Sequence, residues 1–389
     1  MTVIIISCTL LIIAYFLDIA SAYIKIPSVI LLLALGMVAK QCCLFFSISV
    51  PNLNPLLPIL GTIGLLLIVL EGSLELEINK SKIKQITIFS LQALLPMLAL
   101  SLGLAFAFYT YSQASFKVCL ANAIPFAIIS SAIAIPSAKN MAHPSKEFIT
   151  YESSLSDIFG VLFFNIVALN ETLDIAFAGY FILQLGAILA FSFVAILTLA
   201  YLLQNLKHSV KFVPIIIMVI LIYSLAKVYH LPALIFILLF GLFLGNLGEL
   251  KHFKLAQYFN LAKFNPEVAK FKAYNAEITF LIRALFFILF GFLIQASEIL
   301  NPHTIVWAAI ISASIFLLRF LFLKCFKLPL FPLLFIAPRG LITVLLFLSL
   351  APSQYVSLIN KSLVTQVIII TALVIMCGLI KLKKNEKND

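Results

Sequence analysis

Charge is what this sequence has least of. Asp, Glu, Lys and Arg together make up 11% of its 389 residues, against 63% hydrophobic ones. A domain folded in water needs a far more charged surface, so a soluble class is excluded. The usual catalytic signatures are missing too. There is no Walker loop, no Gly-x-Ser-x-Gly elbow, no His-Glu-x-x-His pair and no Cys/His set at metal-ligand spacing. Nothing argues for ATP hydrolysis or membrane proteolysis, and the chain reads as a non-enzyme without a cofactor. The six cysteines lie in or beside apolar runs and read as packing thiols. No Lys or Arg precedes the first apolar run, which therefore reads as a retained helix rather than a signal peptide.

What is present is a succession of apolar runs long enough to span a bilayer. Their approximate limits are 2–20, 27–41, 54–74, 85–109, 117–138, 147–169, 177–203, 212–228, 231–248, 275–297, 303–323, 330–351 and 361–380. The fold class expected is an all-α polytopic membrane protein of about thirteen transmembrane helices, one transmembrane domain over 1–389. Its longest polar connection, Gly248 to Tyr274, holds five lysines and reads as a basic cytoplasmic linker. The net charge of +11 comes from basic residues scattered singly through short loops. That is the pattern of positive-inside topology, not of a nucleic-acid surface. With thirteen spans, nineteen lysines fall on one side and four (Lys40, Lys117, Lys227 and Lys361) on the other. This predicts a multi-pass protein of the cell inner membrane with its N-terminus outside and the tail 381–389 in the cytoplasm.

A weak internal repeat runs through the chain. YIKIPSVILLLALGM from Tyr23 matches VYHLPALIFILLFGL from Val228, with Pro27 on Pro232 and Gly36 on Gly241. LEGSLEL from Leu70 matches LFGFLIQ from Leu289, with Gly72 on Gly291. Repeat one would cover about 1–170 and repeat two about 212–380, with a linking helix at 177–203. A shift of seven spans inverts the second copy across the membrane, a signature of secondary transporters.

Four intramembrane features carry candidate chemistry. In the sixth span, TYESSLSDIFGVLFFNIV, Glu152 and Asp157 stand five residues apart among Ser153, Ser154 and Ser156. Each carboxylate costs roughly 2.5–3.5 kcal/mol to insert. Five helical residues place the two acids about 140° apart, so they serve different partners. In the fifth span, Pro125 and Pro136 bracket Ser130 and Ser131, and prolines free carbonyls that line a cavity where a helix breaks. In the twelfth span, Pro338-Arg339-Gly340 suggests a second interrupted helix. An intramembrane Arg needs a carboxylate or several carbonyls. In the third span Glu71 either faces this site or ends the span. Arg283 and Arg319 also lie within spans, Arg283 with a structural role expected.

These segments, with TFLIRALFFILFGFLI in the tenth span, resemble the monovalent cation/proton antiporter superfamily, nearest the NhaP-type sodium/proton antiporters. The family's sixth span typically reads Glu-Ser-x-x-Asn-Asp. Glu152, Ser153 and Asp157 match it, and Ser156 replaces the Asn. Ser130 and Ser131 match a Ser-Ser-Thr form in the fifth span, with Ala132 for the Thr. The resemblance implies that Asp157 binds cation and proton in turn, that Glu152 pairs with Arg339, and that the chain forms homodimers in which a core domain moves against a dimer domain. The expected function is exchange of a monovalent cation, Na⁺ first, for H⁺. Asp157 would be the cation ligand, and Ser153, Ser130, Ser131 and Glu71 would complete an oxygen cage. Family members with Asn-Asp are electroneutral, and a lone exchanging Asp157 implies the same. The alternatives are K⁺/H⁺ exchange or potassium efflux on this fold, Li⁺ as the cation, and a non-transporting receptor or scaffold.

Overall fold

The computed structural model describes the chain apart from residues 1, 25, 49, 77–82, 140, 170–174, 206–210, 230, 232, 247–260 and 386–389. Pro232, the first half of the expected linker and the end of the tail therefore lie outside the described residues. Among those described, all regular structure is helical. This is the expected solution for backbone in lipid, where every N–H and C=O must be met within the segment.

The order is α1 (Thr2–Ile24), α2 (Ser28–Phe45), α3 (Leu56–Glu75), α4 (Ile83–Tyr111), α5 (Phe116–Ala127), α6 (Ser131–Ser137), α7 (His143–Leu169), α8 (Ile175–Asn205), α9 (Phe212–Val228), α10 (Leu234–Gly245), α11 (Leu261–Leu293), α12 (Ala296–Ile299), α13 (Pro302–Cys325), a 3₁₀ turn (Leu333–Phe335), α14 (Leu341–Ser349) and α15 (Lys361–Asn385). Eight helical segments are long and apolar enough to cross a membrane, and Ile5–Ser21, α9 and α10 are shorter apolar helices. Large apolar side chains such as Phe16, Phe106, Val194 and Leu317 point outward, as a lipid-facing surface requires.

Two regions depart from the sequence expectation. Residues 261–274, assigned to the linker, extend α11 instead. At 1.5 Å per residue its 33 residues run about 50 Å, well beyond a hydrocarbon core of about 30 Å. Ion pairs hold this extension: Lys211 to Glu267 at 2.6 Å and Lys272 to Glu75 at 3.7 Å. The cysteines differ as well. Only Cys119 is buried; Cys8, Cys42, Cys325 and Cys377 are exposed on an apolar exterior where a thiol meets no penalty.

The helices gather into two bodies. In one, α11 packs on α2 and α3, α3 on α10, and α10 on α8. In the other, α4 packs on α5, α7 and α13, and α13 on α15. The α3 helix lies at the seam, touching α6, α7 and α14. Glycines permit the closest approaches. A Cβ on Gly36 of α2 would overlap the Ile288 carbonyl of α11, and one on Gly291 of α11 would overlap the Leu33 carbonyl of α2. Gly241 of α10 meets Ser73 of α3 in the same way.

Both expected helix breaks are present, and they cross inside the second body. Between α5 and α6 the chain is extended at Ile128 and Ser130. Pro125 removes one hydrogen bond from the last turn of α5, and the β-branched pair Ile128-Ile129 favours extension. The second break runs from Ile336 to Gly340. The 3₁₀ turn ends at Phe335, and Pro338 bars Ala337 from helical geometry, so no helix resumes before Leu341. The Ser130 N–H donates to the Pro338 carbonyl at 2.9 Å, joining the two breaks. A Cβ on Gly340 would stand 2.9 Å from Ser130 Oγ and 2.7 Å from Ile133 Cδ1, so any larger residue here displaces those two side chains.

Candidate functional site

The α7 helix presents its polar residues to this crossing, and Glu152, Ser153, Ser154, Ser156 and Asp157 are all buried. The two acids diverge as their spacing dictates. Asp157 faces the start of α6. Its Oδ2 accepts the Ser131 backbone N–H at 3.3 Å and also the Ser131 hydroxyl. Its Oδ1 is buried without a hydrogen-bond partner. Ser156 turns to the same break and accepts the Ile129 N–H at 3.0 Å. A peptide group left over by the interrupted helix is thereby satisfied.

Glu152 faces the other way, and here the sequence expectation is corrected. Its carboxylate is held by Arg319 of α13, not by Arg339. Both contacts, Nη1 to Oε1 and Nη2 to Oε2, measure 2.8 Å, the parallel-fork geometry of a strong pair. Arg319 also donates from Nε to the Leu333 carbonyl at 2.7 Å. Three intramembrane arginines, Arg283, Arg319 and Arg339, were in view, and the sequence carried no signal that Arg319 was the one to reach Glu152. The packing of α13 on α4 and on the 3₁₀ turn decides it.

Arg339 takes the alternative open to a buried arginine, a set of carbonyls. Its Nε donates to Phe126, Nη2 to Ala127 at 3.3 Å, and Nη1 to Ala337 at 2.9 Å and Pro338 at 3.3 Å. Its backbone N–H donates to Thr371 Oγ1 on α15 at 3.1 Å. Carbonyls of the broken fifth span, near Ser130 and Ser131, were expected to line the cation cage. Those of Phe126 and Ala127 instead receive a fixed positive charge that pins the two breaks together.

The remaining expected residues are less closely gathered. Ser153 is buried, and its hydroxyl donates back to the Ile149 carbonyl at 2.7 Å rather than to Asp157. Ser130 contributes its backbone to the crossing. Glu71 is half-buried near the end of α3 and makes no hydrogen bond or ion pair among the described residues. Its neighbour Gly72 lies against Ser154 of α7, whose buried hydroxyl has no partner. Among the described residues no three His, Cys, Asp or Glu side chains form a metal cluster. The chemistry available is therefore that of one buried carboxylate with a free oxygen, beside hydroxyls and a helix break. It can take a proton or a small cation.

Comparison with known proteins gives the family and the fold. The family model described as "Sodium/hydrogen exchanger, transmembrane" matches residues 7–381. No curated protein matches the sequence. Two solved structures of the sodium proton antiporter MjNhaP1 from Methanocaldococcus jannaschii share the fold. The one at pH 8 has a TM-score of 0.63 and 18% identity, covering 98% of this chain and 96% of that one. The structure from an electron-microscopy map has a TM-score of 0.65 and 18% identity, covering 100% and 96%. The chain thus belongs to the transmembrane sodium/hydrogen exchanger family, a family of multi-pass cation/proton antiporters.

Proposed function

We propose that the chain exchanges Na⁺ for H⁺, one for one, with Asp157 as the carrier carboxylate. The observation that carries this reading is the state of that side chain: one oxygen held by Ser131, the other buried and unpartnered at a crossing of broken helices. A lone carboxylate is neutralised by a cation or by a proton, and the competition between them is the coupling. An ionised, unoccupied site crosses poorly because bare charge is expensive in a low-dielectric interior. Glu152 is committed to Arg319, which leaves one exchanging acid and implies electroneutral exchange. Ser131 and the Asp157 carboxylate form the centre of the proposed cation site, with Ser153, Ser130 and Glu71 completing it.

The seam at α3 favours motion of the body bearing Asp157 against the body built on α2, α3, α10 and α11, with homodimers formed through the latter. The glycine contacts support the inverted repeat. Gly36 and Gly241, matched in sequence, place α2 on α11 and α10 on α3, which are equivalent pairs under the repeat. Two lysines assigned to the outside also converge. Lys40 and Lys361 donate to Ile294 and Leu293 at the end of α11, at 2.9 and 3.3 Å.

Proton flux from reconstituted vesicles, with Na⁺, K⁺ and Li⁺ added in turn and a membrane potential imposed, tests the proposal. Flux driven by Na⁺, with a final distribution indifferent to voltage, is expected. Flux driven by K⁺ alone would install the potassium reading. No flux with any cation would favour a receptor. A voltage-dependent distribution would point to Glu71 as a second titrating group.

A further inference from the structure

Beside the crossing lies a cavity of about 20 Å³ whose lining does not include Asp157. It is lined by Gln92, Pro96 and Met97 of α4, by Arg319 of α13, and by Arg339 with its neighbour Ala337 at the second break. Gln92 is 1% exposed, and neither its Oε1 nor its Nε2 has a hydrogen-bond partner. The amide stands beside the Glu152 carboxylate but outside hydrogen-bonding geometry. Pro96 follows Gln92 by four residues and has no N–H, so the Gln92 backbone carbonyl also lacks its helical donor. A buried amide oxygen without a donor is costly, and α4 places one where two guanidinium groups line the same space.

We infer that this cavity is a binding site for a single ordered water, held by Gln92 and the two arginines. The volume exceeds the roughly 10–15 Å³ that one water requires, and the lining supplies more than the two to four polar partners such a water needs. The available groups are of both kinds. The guanidinium groups keep N–H donors beyond those already bonded to Glu152, Leu333 and the four carbonyls. Gln92 offers Oε1 and its backbone carbonyl as acceptors. Water both donates and accepts, so it meets all of these together. A cation is excluded by two guanidinium groups against one carboxylate, which separates this site from that of the transported ion. A halide would satisfy the donors and leave both Gln92 acceptors unmet.

This water makes Gln92 a positioning residue. It links α4 to Arg319, whose fork orients Glu152, and to Arg339, whose side chain holds the Phe126 and Ala127 carbonyls at the end of α5. The same break carries Ser131, which holds Asp157. Loosening the water frees Arg339 and widens the distribution of geometries at the carboxylate, which weakens cation binding more than it slows turnover.

The test compares the full-length protein with Gln92→Leu at a resolution that shows ordered waters, in crystals grown with chloride and again with bromide. Density within hydrogen-bonding distance of Gln92 and both guanidinium groups is expected in the parent protein, with no anomalous bromide signal there, and it should be absent from the variant. A cavity without density, or a bromide peak in it, overturns the water site. In vesicles the variant should need several-fold more Na⁺ for half-maximal exchange while its maximal rate stays within about twofold. An unchanged half-maximal concentration, or a loss confined to maximal rate and folded yield, overturns the positioning role. Because the density is read independently of transport, its failure is distinguishable from failure of the antiport proposal.

Discussion

Replacing Arg319 with Met, which fills similar volume without charge, should be among the most damaging single changes in this protein. Arg319 and Glu152 are 3% and 1% exposed and meet through two 2.8 Å contacts. Removing one partner of such a pair strands the other charge in an apolar interior, which typically costs about 3–5 kcal/mol. At 1.4 kcal/mol per tenfold, that is roughly two to three and a half decades in the folded-to-unfolded ratio. Glu152→Gln should cost somewhat less, because the amide still accepts one hydrogen bond while the guanidinium stays uncompensated. The double variant removes both charges and should recover much of the loss, since apolar replacement of a buried pair is often nearly neutral. The expected coupling is on the order of 2–3 kcal/mol, read from thermal unfolding of detergent-solubilised protein across the four members of the cycle. Arg339→Met paired with Glu152→Gln is the control, and it should show a much smaller coupling because Arg339 is held by carbonyls. Additive losses in the Glu152–Arg319 cycle, or a larger coupling in the Arg339 cycle, would refute the assignment.

Other outcomes follow from the same geometry. Asp157→Asn keeps size and hydrogen bonding but binds no exchangeable proton, so it should fold normally and carry no cation-dependent proton flux in vesicles. Retained flux would move the carrier role elsewhere. Ser156→Ala strands the buried Ile129 N–H and should lower stability by about 1–3 kcal/mol, with Ser156→Thr restoring most of it. A thermal shift below a few tenths of a kcal/mol would show that the break does not depend on this hydroxyl. For topology, a cysteine placed at Lys384 should react with an impermeant maleimide only in inverted vesicles, and one at Lys40 only in intact cells. The reverse pattern would invert the orientation.

Much of this molecule was legible in one dimension because lipid makes strong demands. A helix is the only open-chain way to satisfy backbone in hydrocarbon, so apolar runs located the helices, and prolines located both interruptions. The five-residue spacing of Glu152 and Asp157 already sent them to different partners, and the presence of two acids in an apolar run marked the candidate site. What remained hidden was partnership across distance. Arg319 and Arg339 lie in equally apolar runs, and each required neutralisation at a similar expense. Only the packing of α13 on α4 and on the 3₁₀ turn brought Arg319 to Glu152, and only the crossing of the two breaks offered Arg339 four carbonyls. The same crossing paired Ser131 with Asp157, turned Ser153 back to its own helix, and left Gln92 beside a polar cavity. Periodicity tells which face a residue occupies. Which neighbour fills that face is decided by helix packing, where glycines at positions such as 340 allow backbones to approach.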